Sequence, residues 1–403
     1  MGKNISKILT GVLFASPVFA LDIDQMQFFG YGNINYSKYD YLENYQSKPE
    51  SRAKVDLERF VLVTKYLLDD TTTIELELEY EHGGTGSTLE YDGKEEAGEF
   101  ELEVEKGGEI IIEELVVEFT KNPKMSFKVG HFPVAVGLLS ARHLPSLYHS
   151  AARNRSESRI IPTTWHETGV EVFGSVLDDK LHYQAQVING LNSENFDSSG
   201  WIKYGHQKRF EHVNADNLAT NVRVSYGNLV GNQIGFSYYI GNTGENRHKL
   251  QLDSDGTVQV FGIHGVYQYK DTDVKALYLF GTLGDNDKIT AANYNLPGQY
   301  RAYNHSVAKE AVAYFVEVGQ NIAPLVKHNK KTVLWGKYDY SDTMSKAGKG
   351  VIDNPRYEQT TISGGLNYHY SDHLIFKSEI ENTKFGGTLE DMSSMTLSMA
   401  FQF

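Results

Sequence analysis

The chain contains no cysteine and little proline or tryptophan, with 9 Pro and 3 Trp among 403 residues. Without Cys, no disulfide can staple the fold, although small exported domains commonly depend on them. Mean hydropathy is −0.41, and no apolar run reaches the roughly 18 residues that a membrane-spanning helix needs. Helical periodicity is almost absent. Other residue types are abundant. The 26 Tyr and 20 Phe exclude a disordered chain, which would be poor in aromatics. The 37 Gly follow no triplet period, which excludes collagen.

The first residues read as an export signal. Lys3 and Lys7 form a positive n-region, residues 8–15 a short apolar h-region, and Val18-Phe19-Ala20 a cleavage site before Leu21. The expected division is a cleaved secretory signal peptide over 1–20 and one domain over 21–403. Loss of the two lysines takes the net charge from −14 to −16.

Beyond the leader, apolar and polar residues alternate with the period of a strand. Leu181, Tyr183, Ala185 and Val187 share one face, with His182, Gln184 and Gln186 on the other. Glu75, Glu77, Glu79 and Glu81 alternate with Leu76, Leu78 and Tyr80. At the C-terminus Met395, Leu397, Met399, Phe401 and Phe403 lie opposite Thr396, Ser398, Ala400 and Gln402. An apolar strand ending in Phe suits the closing strand of an outer-membrane barrel, with one face to lipid and one to the lumen. Phe403 also looks like the sorting signal that such barrels offer to the barrel-assembly machinery.

Turn signals give the topology. Seven short connections fall near 69–70, 121–124, 177–179, 228–232, 271–272, 321–329 and 371–372. Eight long ones fall near 37–55, 82–108, 138–164, 192–215, 242–257, 284–308, 342–356 and 385–391. Short and long alternate strictly. The expected fold is therefore an all-β, transmembrane antiparallel barrel of about sixteen strands, with short periplasmic turns and long external loops. Sixteen strands are enough to leave an aqueous lumen, and outer-membrane lipid would surround the barrel.

The charge is concentrated. Residues 75–118 hold 15 Glu and one Asp against two Lys, a net −14 that equals the value for the whole chain. Within it, Glu99, Glu101, Glu103 and Glu105 alternate with apolar residues, and Glu95 and Glu96 precede them. The second long loop is expected to contain an extra hairpin with one acidic face. That face reads as a solvated surface, as a latch over a neighbouring subunit, or as a site for a hard divalent cation, although no EF-hand spacing is present.

The third long loop is of opposite sign. Arg142, Arg153, Arg155 and Arg159 stand against Glu157, with His143 and His149 beside them. Loops of this length are usually functional. Folded into the lumen, these six side chains would form a pore constriction that favours anions, since guanidinium binds phosphate and carboxylate as a planar donor. The alternative is that the arginines pair with local carboxylates or lipid headgroups.

The segment Phe127-Lys128-Val129-Gly130-His131-Phe132, followed by Val136-Gly137-Leu138-Leu139, resembles the strand entering the third loop in porins of the phosphate-selective porin O and P family. The run from Trp165 to Gly174 resembles the strand leaving that loop, and Tyr183 to Ser193 the next strand. The resemblance is best over 127–228. It implies a homotrimeric, sixteen-stranded outer-membrane channel for passive diffusion of small hydrophilic solutes or ions, often anions such as phosphate. The Arg and Lys ladders of the phosphate-selective members have no residue-by-residue match here.

Other classes find less support. There is no G-x-S-x-G and no H-E-x-x-H, and His166-Glu167 lacks a second His at helical spacing. No enzyme activity, metal or cofactor is expected, and an acidic chain with one short basic stretch does not point to nucleic acid. The open alternatives are a cation-preferring porin governed by the acidic 75–118 segment and a non-conducting surface or adhesion barrel.

Overall fold

A computed structural model describes residues 23–403 except 42–47, 85–88, 92–101, 105–107, 109, 139–142, 163, 208–212, 250 and 298–305. The leader and its cleavage site lie outside the described residues. The strands are β1 (Met26–Tyr41), β2 (Glu50–Leu67), β3 (Thr72–Glu81), β4 (Leu89–Tyr91), β5 (Leu102–Val104) and β6 (Ile110–Asn122). They continue with β7 (Met125–Pro133), β8 (His166–Val176), β9 (Leu181–Asn189), β10 (Leu218–Gly227), β11 (Gln233–Gly241) and β12 (Val258–Tyr269). The last six are β13 (Thr272–Leu283), β14 (Glu310–Asn321), β15 (Thr332–Lys346), β16 (Glu358–Ser371), β17 (Leu374–Phe385) and β18 (Met392–Gln402). Two short helices, α1 (Arg155–Ile160) and α2 (Asn286–Asn295), lie in long loops.

All strands but β4 and β5 form one closed antiparallel barrel, in which every sequence neighbour pairs and β18 returns to β1. That makes sixteen strands. The connections alternate short and long as the turn signals predict, with strand ends displaced by a few residues. β4 and β5 pair only with each other, Glu90 opposite Glu103, so the second long loop does contain an extra hairpin. Glu103 lies on it. Glu95, Glu96, Glu99, Glu101 and Glu105 fall outside the described residues.

The ring closes through nine residue pairs between β1 and β18, from Tyr31 with Gln402 to Tyr39 with Ser394, and the pairing continues at Phe403. The Phe403 N–H donates to the Gly30 carbonyl (2.8 Å), and the Gly30 N–H donates to the Phe403 carbonyl (3.0 Å). The Phe403 ring tip lies where a Cβ on Gly30 would stand, so a larger residue there would have to displace the ring. Phe60 packs beside it, its ring centroid 6.4 Å from that of Phe403.

The usual inside-out order of a soluble protein is reversed. Val129, Val170, Val187, Ile234, Ile263, Leu334, Ile362 and Ile380 point outward and are exposed. Their strand neighbours Lys128, Glu171, Gln186 and Glu379 point inward. This is the pattern of a barrel in lipid, with an apolar band outside and polar side chains within. Tyr226, Tyr267, Tyr269 and Tyr370 stand exposed at the short-turn rim, where amphipathic rings suit a membrane–water boundary. A further tyrosine row crosses β13, β14 and β15: Tyr314 stacks on Tyr340 (4.9 Å), Tyr338 (6.2 Å) and Tyr278 (6.4 Å).

The lumen differs from the expectation of a simple aqueous bore. On the side bounded by β9 to β14 it is filled by an apolar core. Inward residues such as Tyr239, Val260, Leu279 and Phe315 meet Ile160 and Trp165 of the third long loop, Trp201 of the fourth and Ile289 of α2. Trp201 is fully buried, donates its indole N–H to the Ala308 carbonyl (3.0 Å) and packs its six-membered ring against Gly281, where a side chain would collide with it. Toward the long-loop ends of these strands the inward positions are mostly apolar or small, which lets the loops dock inside, while Gln186, Arg223, Lys275 and Glu317 turn polar groups inward nearer the short turns. Trp201→Ala is expected to destabilise the folded barrel by about 3–5 kcal/mol, read by equilibrium denaturant unfolding in liposomes. A change below about 1 kcal/mol would mean that the core is not closed in lipid.

Candidate functional site: a loop across the lumen

The third long loop joins β7 to β8 and turns inward. At its root the Arg223 guanidinium on β10 donates to the Gly137 carbonyl (3.0 Å), and the Leu138 N–H donates to the Glu157 carboxylate (2.7 Å). Gly137 takes a positive φ of 72° at this bend, a conformation that glycine adopts freely. His131 and His166 contact each other there, and the His206 ring stacks edge-on against His166 at 4.6 Å.

The far side of the loop is tied to the opposite wall. Lys377 on β17 is buried and donates from Nζ to three loop carbonyls: Pro145 (2.6 Å), Tyr148 (2.9 Å) and Ser150 (3.0 Å). It also lies 4.3 Å from the Tyr148 ring centroid, a cation–π contact. Asn367 on β16 donates to the His149 carbonyl (2.9 Å), the Ala151 N–H donates to Glu379 on β17 (2.8 Å), and Ser146 donates to Gln402 on β18 (2.8 Å). The loop thus runs across the lumen from β7–β8 to β16–β18.

The wall carboxylates receive its basic residues. Arg153 pairs with Glu79 on β3 (3.1 Å) and contacts Thr164. Its side chain is only 8% exposed. Arg155, at the start of α1, pairs with Glu381 on β17 (2.8 Å) but stays 59% exposed. His149 contacts both oxygens of Asp273 on β13 (2.8 and 3.0 Å). His143 lies 3.7 Å from Glu77 on β3. Burial pulls its imidazole pKa down, but the Glu77 and Glu113 carboxylates outweigh this and hold it above the usual value. Arg159 is half-buried, and its pKa is lowered, chiefly by burial. Arg142 lies outside the described residues. Of the six loop residues expected at a constriction, His143, His149, Arg153 and Arg155 thus meet carboxylates of the barrel wall, Arg153 buried against its partner and Arg155 still largely exposed.

Several residues were not singled out by sequence reasoning. Lys377, Glu379 and Glu381 occupy successive inward positions of β17, a pattern visible as Lys-x-Glu-x-Glu. Glu113 sits at a register shift between β6 and β3, where Glu77 pairs with Glu114 and Leu78 with Ile112. The extra residue of this bulge aims a second carboxylate inward, so Glu113 and Glu114 are both buried. The signal was the Glu-Glu doublet that breaks the alternation. Lys275–Glu317 (2.7 Å) and Lys337–Asp339 (3.6 Å) complete a charged inner wall.

A closed sixteen-stranded barrel with an apolar outer band and a lumen crossed by its third loop is an integral outer-membrane protein with the porin fold. No family model matches the chain. It is 25% identical over 352 residues to an uncharacterized protein of Aquifex aeolicus (strain VF5), covering 87% of this chain and 74% of that one. Among solved structures it is similar to the outer membrane channel DcaP of Acinetobacter baumannii, with 12% identity, a TM-score of 0.54, and coverage of 94% and 97% of the two chains. It is likewise similar to an anion-selective porin from Comamonas acidovorans, with 10% identity, a TM-score of 0.52, and coverage of 94% and 99%. At these identities the likeness is one of fold.

Replacing Lys377 with Met keeps the stem and removes the three charge-assisted hydrogen bonds. Such bonds contribute roughly 1.5–3 kcal/mol each, so trypsin is expected to cut the 143–161 segment at least about tenfold faster. The check is the appearance of cleavage products from a barrel whose heat-shifted gel migration is unchanged. Equal cleavage of both proteins would mean that Lys377 does not hold the loop.

Proposed function

We propose that the protein is an outer-membrane porin that passes small hydrophilic solutes by diffusion, and that its selectivity is set where the third loop crosses the lumen. The observation that carries this reading is the tethering of that loop to the far wall by Lys377, Asn367, Glu379 and Glu381. A fixed constriction discriminates by width and field. Arg155 is the exposed guanidinium at this level, with Arg159 beside it on α1, and both favour anions such as phosphate. A cation preference has its own support: the loop guanidiniums face Glu79 and Glu381, and the carboxylate row of β3 continues along the wall. The family resemblance adds a homotrimer in outer-membrane lipid, delivered by the barrel-assembly machinery through Phe403.

The test is reversal potential and stepwise conductance in a planar bilayer under a KCl gradient. Arg155→Ala removes one solvated charge, worth on the order of 1 kcal/mol at about 4 Å in water. The anion-to-cation permeability ratio is expected to fall by up to about fivefold, with conductance retained. An unchanged ratio removes Arg155 from the selectivity site. A parent channel that prefers cations assigns selectivity to the wall carboxylates. A folded barrel that never conducts overturns the transport reading.

A further inference from the structure

Three donor-bearing residues converge where the third loop meets the wall: Glu77 of β3, Glu113 of the β6 bulge and His143 of the loop. One ligand atom from each lies within 4.8 Å of the other two, and among the described residues this is the group of three that meets that condition. They come from three separate segments, so no spacing in the sequence points to them.

The surroundings leave this cluster with an excess of carboxylate. Glu79 contacts Arg59 and accepts from Arg153, so its charge is matched twice. Glu77 accepts from the Tyr31 hydroxyl (2.9 Å). Glu113 is different. It is 2% exposed, and neither carboxylate oxygen accepts a hydrogen bond among the described residues. The Arg59 guanidinium, already engaged by Glu79, stands 3.6 Å from it. The His143 Nδ1 is likewise buried and accepts no bond. A buried carboxylate is costly unless its charge is matched, and Glu113 has only a guanidinium that it shares with Glu79, so three carboxylates stand against Arg59 and Arg153 and leave a charge for a cation to meet.

We infer that Glu77, Glu113 and His143 bind one divalent cation of the zinc class, which clamps the loop to the β3–β6 wall. One imidazole and two carboxylates form a mixed nitrogen–oxygen donor set that suits zinc and its neighbours, with a fourth position left for water. The imidazole argues against calcium and magnesium, which take oxygen ligands. Contraction of the donors to about 2.0–2.2 Å around the ion would draw His143 toward the wall. The site would thereby fix the arm of the loop that Lys377 does not hold. It does not depend on whether the barrel conducts.

The experiment uses the refolded full-length barrel in detergent, stripped with a chelator and titrated with ZnCl2 at neutral pH by calorimetry, with bound metal counted after desalting. One zinc per chain is expected. Glu113→Gln and His143→Gln should each weaken binding by at least about tenfold, since loss of even an outer-shell partner typically costs 10–100-fold. Heat-shifted gel migration checks folding. His143→Gln changes only a loop residue and keeps the test readable if Glu113→Gln fails to fold. Absence of stoichiometric zinc overturns the inference. So does equal affinity in parent and variants, which would assign the binding to acidic residues elsewhere, such as those between β4 and β5.

Discussion

In lipid no water is present to satisfy an exposed N–H or carbonyl, so the backbone must close its own hydrogen bonds. Every other feature of this protein follows from that ring. A sheet free of edges requires β18 to meet β1, and the ladder from Tyr39 with Ser394 to Gly30 with Phe403 is where the ring closes. Because the strands have period two, an apolar outer face forces the alternate residues inward. The inner wall therefore inherits whatever is polar or charged.

That inheritance creates a second problem. Glu77, Glu79, Glu113, Asp273, Glu317, Lys337, Lys377, Glu379 and Glu381 all point into a space too narrow to solvate them fully. Much of the compensation comes from the third loop. It brings Arg153 to Glu79, Arg155 to Glu381, His149 to Asp273, and three carbonyls to Lys377. The loop is at once a barrier in the lumen and the counter-charge of its wall. Its positive charge cannot be counted as if it were free, which is why net charge alone leaves the preferred ion open.

The other side of the barrel solves the same problem differently. Near their long-loop ends, strands β11 to β14 turn Tyr239, Val258, Val260, Leu279, Leu283, Ala311 and Ala313 inward, and the fourth loop and α2 pack onto them. Trp201 against Gly281 shows the fit: the large ring needs a position without a side chain. Part of the lumen thus packs like a soluble core.

Alternation, turn chemistry and the strict order of short and long connections were enough to read the closed barrel, its strand number and the hairpin of the second loop, because these depend on local period and on neighbouring strands. The inward course of the third loop was legible only as an expectation from its length and arginines. The sequence could not show that Lys377, some 230 positions away, captures its carbonyls, or that the Glu113–Glu114 doublet marks a bulge and not a mere break in pattern. It could not show that Trp201 enters the barrel. The sequence determined the ring, since pairing between consecutive strands is local. Only the tertiary structure decided what fills it, because contacts across a lumen join residues that no period relates.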